Sequence, residues 1–112
     1  MKVTKRNAEH YIWGDNCDGW FMANEPDRTI IHERMPAGTA EARHYHETAK
    51  QFFFLLSGTA VMEADGEQIT LLAHEGISIP PRMPHQIKNE SNEDVEFLVI
   101  SQPSTRGDRV QV

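Results

Sequence analysis

Apolar and polar residues alternate in short runs along most of this chain, and turn residues separate the runs at roughly 8–12-residue spacing. The pattern predicts strands over 29–35, 52–56, 59–64, 68–72, 77–79, 85–89 and 95–101, with a shorter one near 20–23. Asp65-Gly66 between two such runs is a two-residue hairpin turn. Pro80-Pro81-Arg82-Met83-Pro84 is a turn that no helix tolerates. The run 95–101 is apolar on both faces and reads as an interior strand. The inward set by alternation is Phe53, Leu55, Ile87, Phe97 and Val99, in a phase that a one-residue slip would reverse. Over 29–35 one face carries Ile31, Glu33 and Met35, the other Ile30, His32 and Arg34, and the pattern does not say which is inside. No long segment has a helical period, so the expected class is all-β, a barrel or a sandwich.

Composition narrows this picture. A chain of 112 residues makes one domain, read as an N-terminal arm over 1–28, a barrel over 29–101 and a charged C-terminal tail over 102–112. The net charge of −6 leaves no basic patch to neutralise phosphates, which argues against a nucleic-acid partner. No apolar run reaches the roughly 18 residues of a membrane helix, and the basic start has no apolar stretch after it, so it is no secretory signal. With Cys17 as the single cysteine, no internal disulfide forms, and a cytoplasmic location is expected. Cys17 reads as a free structural thiol, and Trp13 and Trp20 as covers for apolar surface rather than the lining of an opening.

The chemistry-bearing stretch is 38–58. His44 and His46 share a face if this stretch is extended, with Cα atoms about 6.6 Å apart. That spacing suits two imidazoles on one ion at about 2.1 Å each. Gln51 follows after a short turn, and His85 comes from the Pro-rich turn. His44, His46, His85 and Gln51 are a candidate mononuclear metal site of three nitrogens and one amide oxygen. A His-x-His pair alone is weak, since six histidines in 112 residues often fall close together. Tyr45 and Gln86 should face away from the site, and His74, in a turn, is expected in solvent.

Two stretches resemble the two motifs of the cupin superfamily. In the first, Gly38 is followed by five residues, His44-Tyr45-His46, four residues, Gln51, six residues and Gly58, with Gln51 where the family has a glutamate. In the second, Gly76 precedes Pro80-Pro81-Arg82-Met83-Pro84-His85 and Asn89, with a shorter glycine-to-proline spacing and Arg82 in place of the middle glycine. The resemblance covers roughly 29–101. It implies a double-stranded β-helix, the jelly-roll cupin barrel, with one divalent transition metal (Fe, Ni, Zn, Mn or Cu) on His44, His46, Gln51 and His85. It also implies a homodimer. Loss of the glutamate removes one negative ligand, so the ion would be held less tightly and polarise oxygen ligands more strongly. The ligand spacing is similar to that of small pectin-degradation cupins that open unsaturated uronic acids. The alternative is that Gln51 marks a member that has lost its metal.

The expected function is a metal-dependent enzyme on a small oxygenated molecule, of dioxygenase or of sugar-acid isomerase or lyase type. The alternative is a non-catalytic module that binds a small molecule in the barrel. No acid or base outside the ligand set is identifiable from the sequence.

Overall fold

The computed structural model describes residues 1–112. Eleven strands and no helix make up the chain: β1 (Glu9–Trp13), β2 (Cys17–Glu25), β3 (Arg28–Met35), β4 (His44–His46), β5 (Lys50–Ser57), β6 (Ala60–Ala64), β7 (Glu67–Leu71), β8 (Gly76–Ile79), β9 (His85–Lys88), β10 (Val95–Gln102) and β11 (Arg109–Gln111). They form two antiparallel sheets, ordered β1-β2-β3-β10-β5-β8 and β11-β4-β9-β6-β7. Their facing sides enclose the core, which makes the fold a jelly roll.

The core follows the period-two pattern. Phe53, Leu55, Ile87, Phe97 and Val99 are all buried, so the inward phase is the expected one. β10 lies inside its sheet between β3 and β5, as its two apolar faces imply. Its second face, with Leu98 and Ile100, is half-exposed on the outside of the barrel. Asp65 and Gly66 both have positive φ, 51° and 89°, the primed turn that matches strand twist. Asn89 is buried and structural: Nδ2 donates to the carbonyls of Met35, Pro36 and Glu93 at 2.7–3.1 Å, tying the β9 end to the β3 end.

The chain ends depart from expectation. The segment read as an arm carries β1 and β2, which extend the six-stranded sheet beyond β3. The segment read as a tail carries β11, which pairs with β4 and adds an edge strand to the other sheet. Both segments alternate weakly, because half their residues are polar and lie at sheet edges.

Candidate metal centre

The five-stranded sheet brings the three histidines together. His44 and His46 are two apart on β4 and so share its inner face. His44 is the cross-strand partner of His85, the first residue of β9. The ring centroids lie 4.9 Å apart for His44 and His46, 4.5 Å for His44 and His85 and 6.0 Å for His46 and His85. One potential ligand nitrogen from each falls within 4.8 Å of the others, and all three residues are buried. Gln51 reaches the same cavity from β5 in the opposite sheet, where Ser101 on β10 is its cross-strand partner.

Hydrogen bonds decide which atoms are free. Nδ1 of His44 donates to the carbonyl of Ala42 at 2.8 Å, and Nδ1 of His85 to that of Met83 at 3.0 Å. A carbonyl only accepts, so both Nδ1 atoms carry the proton and both Nε2 lone pairs are left over. Nε2 of His85 is buried with no partner, as is Nδ1 of His46. Gln51 donates Nε2–H to Oγ of Ser101 at 3.1 Å, which leaves Oε1 buried and unpaired. Burial pushes the His44 ring down to about 3, and lowers His46 and His85 as well. The rings are therefore neutral near pH 7, the form that binds metal. Three nitrogens and an amide oxygen without protein partners fit a divalent transition ion.

The centre opens into a cavity of about 210 Å³, the volume of about seven waters at ~30 Å³ each. Ile31, Phe53 and Val99 make an apolar wall, and Arg109 is the only cationic side chain in the lining. Tyr11, Trp13, Glu33, Glu41 and Thr105 complete it. Trp13 thus does line an opening, contrary to its expected role as a surface cover. Trp20 stays on the outer face against His10 and His32. Cys17 is in the core with its thiol pushed up by burial, which makes it inert. Tyr45 and Gln86 are absent from the lining, and His74 is exposed. A larger depression of about 380 Å³ is lined by Lys50, Gln51, Phe52, Ser78, Pro80 and Ile100, with Gln102 at its side.

The polar lining missed by sequence reasoning is Tyr11, Glu33, Glu41 and Arg109. Glu33 had one signal: it is a charge in phase with Ile31 and Met35 on a strand whose other face is also charged. Burial and then repulsion from Glu41 push Glu33 up to about 8, and burial takes Glu41 to about 7.

Two facing antiparallel sheets, with histidines converging on a cavity between them, define a double-stranded β-helix barrel. The cupin domain family matches residues 31–101, and the chain belongs to that family. An uncharacterised protein of Methanocaldococcus jannaschii is 32% identical over 68% of this chain and 61% of its own length. The oxalate-binding protein of Thermotoga maritima is 26% identical over 65% of this chain and 60% of its own. Quercetin 2,3-dioxygenase of Bacillus subtilis is 27% identical over 69% of this chain but only 21% of its own. The chain therefore matches less than two thirds of the length of these relatives. Solved structures share the fold at lower identity. KdgF from Halomonas superposes with a TM-score of 0.85 at 16% identity, covering 93% of this chain and 94% of that one. The polyketide cyclase RemF from Streptomyces resistomycificus superposes with a TM-score of 0.86 at 15% identity, covering 100% and 84%.

Proposed function

We propose that His44, His46, His85 and Gln51 hold one divalent transition metal, and that the protein is a metal-dependent enzyme acting on a small oxygenated anion. The carrying observation is the set of buried polar atoms with no protein partner, Nδ1 of His46, Nε2 of His85 and Oε1 of Gln51. Each such atom left unpaired costs about 1–3 kcal/mol, and one ion at the centre would engage them together. When bound, the ion supplies a Lewis acid for an oxygen ligand. The protein does the rest. Ser101 orients the Gln51 amide so that its oxygen faces the cavity. Ala42 and Met83 fix two imidazole tautomers. Arg109 offers the ligand's negative group a partner, and Ile31, Phe53 and Val99 exclude water from one side. The donor set carries no negative charge, so the ion's full charge is left for an anion.

The reaction is of dioxygenase or of sugar-acid isomerase or lyase type, classes consistent with the diversity of named relatives such as quercetin 2,3-dioxygenase. A relative named for oxalate binding supports the second reading, a non-catalytic small-anion carrier. Oxygen uptake or product formation in a screen of small oxo and hydroxy acids separates the two.

The first test is elemental analysis of protein made without added metal. About one Fe, Ni, Zn, Mn or Cu per chain is expected, and His85→Ala should lose it. Because His85 is fully buried, Gln51→Glu serves as a second variant. It restores a carboxylate ligand and is expected to hold metal at least tenfold more tightly, about 1.4 kcal/mol. A saturating ion at 100 times its Kd should stabilise the wild type by about 2.7 kcal/mol, or about 10 °C in Tm. Metal-free wild type that gains no stability from any of these ions would sink the reading.

A second copy of the chain is the partner that best fits the outer face of the six-stranded sheet. There Ile30, Ile100 and Phe52 form one cross-strand row, and His32, Leu98 and Phe54 the next.

A further inference from the structure

We propose that Glu33, paired with Glu41, is the proton carrier of the cavity, passing one proton to or from an oxygen of the ligand bound at the histidine centre. The proposal rests on the metal-centre reading above. In the forward sense the O–H bond of the Glu33 carboxyl breaks and an O–H bond forms on the ligand oxygen. Glu33 is left as a carboxylate, and nothing is oxidised or reduced.

Placement comes first. Glu33 on β3 and Glu41 in the β3–β4 connection line the same cavity as His44, His46 and Gln51. Neither carboxyl forms an ion pair with a basic side chain, although Arg109 lines the same space. The two differ in their surroundings. Oε1 of Glu41 accepts the backbone N–H of Ile87 at 3.1 Å. No donor lies within hydrogen-bond distance of the Glu33 carboxyl. A hydrogen bond from an N–H favours the charged form, so Glu41 is the better carboxylate and Glu33 the one that keeps its proton. Two carboxyls in one enclosure do not both ionise readily, and the upward shift of Glu33, from burial and then from Glu41, agrees with this.

The neighbouring strands are built around this group. Gly19 on β2 is the cross-strand partner of both Tyr11 and Glu33. A Cβ on Gly19 would stand 2.3 Å from Cζ of Tyr11 and 2.6 Å from its hydroxyl oxygen. The missing side chain lets the Tyr11 ring lie flat over β2, with its hydroxyl beside the row that holds Glu33. Burial, with Glu33 next, raises the Tyr11 phenol, so it stays neutral.

Charges facing Glu33 act in both directions. Glu41 favours its proton and Arg109 opposes it. The Cys17 thiol on β2 is neutral, and the imidazoles of His44, His46 and His85 are neutral. A divalent ion at the histidines would draw Glu33 toward the carboxylate, and an arriving dianion would cancel that charge and return the proton. Ligand binding and protonation of Glu33 are thereby coupled.

The test uses zinc-loaded protein with 13C-labelled glutamate and oxalate as the probe, read by infrared difference spectroscopy at pH 7. Oxalate is expected to raise or shift the label-sensitive carbonyl band of a protonated glutamate. In Glu33→Gln that response should vanish while the zinc content is unchanged. In Glu41→Gln the band should survive but titrate at lower pH, because the like charge is gone. A chain that holds no zinc overturns the metal centre and with it the ligand-linked transfer. A chain that holds zinc, but whose acid band is absent, is unmoved by oxalate, or persists in Glu33→Gln, overturns the role of Glu33 alone.

Discussion

His44, with its ring pushed down to about 3 by burial, is held in the neutral form in the folded chain. In the unfolded chain a histidine takes up its proton near pH 6.5. The unfolded state therefore binds more protons below that pH, and the stability contributed by His44, His46 and His85 is present above about pH 6.5 and lost as pH falls below it, for His44 down to about 3. Glu33 and Glu41 work the other way. Their carboxyls ionise near 4.5 when unfolded and near 8 and 7 when folded, so their contribution is present below 4.5 and lost as pH rises through 7 and 8. Three rising terms against two falling ones place the stability maximum of metal-free protein near pH 6.5. Thermal melts from pH 4 to 9 check this, and Glu33→Gln should flatten the alkaline limb. A maximum that lies above pH 8 would show that the two carboxyls are ionised in the folded state.

At the scale of elements, β4 has only three residues and depends on its neighbours. β9 pairs with it on one side and β11 on the other. Asp108, just before β11, locks the turn after β4: its carboxylate accepts the N–H groups of Thr48 at 3.1 Å and Ala49 at 2.9 Å. Those bonds hold it below the usual carboxylate range although partial burial opposes them. Asp108→Ala leaves the N–H of Ala49, itself buried, without its acceptor. The expected cost is about 1–3 kcal/mol, a fall in Tm of roughly 5–10 °C, with weaker metal retention because His46 is two residues from Thr48. Calorimetry and metal titration of the variant check both. A Tm within a degree of wild type would mean that water replaces the carboxylate.

At the scale of the whole molecule, the outer face of the six-stranded sheet carries apolar side chains that are half-exposed or exposed, Ile30, Phe52, Phe54, Leu98 and Ile100 among them. Phe54 and Leu98 are cross-strand partners there, and the Phe52 and Phe54 rings stack at 6.4 Å. Apolar patches of this kind mark association sites. A two-fold pairing of this face would join two barrels back to back and leave both cavity mouths open. Light scattering on wild type is expected to give twice the chain mass, and Leu98→Arg to give one chain mass with metal content unchanged. A monomeric wild type at micromolar concentration would overturn the pairing.

The strands between 29 and 101, the hairpin at Asp65-Gly66 and the inward set from Phe53 to Val99 were legible because a strand half-buried in a core writes its period into the residues. The three histidines and Gln51 were legible from spacing because their partners lie within a few residues or on a recognisable turn. Period two says which residues share a face but not which face is inside, and β3 carries charges on both. Only its pairing with β2 and β10 turns Glu33 inward and leaves His32 and Arg34 outside. Tyr11 enters by β1 and Arg109 by β11, from segments near opposite ends of the chain whose own patterns are weak. The local alternation of side chains determined the inward faces of the strands and the shared face of His44 and His46. The acidic wall, the cation in the lining and the role of Gly19 were decided by contacts between distant segments, which exist only once the sheets are assembled.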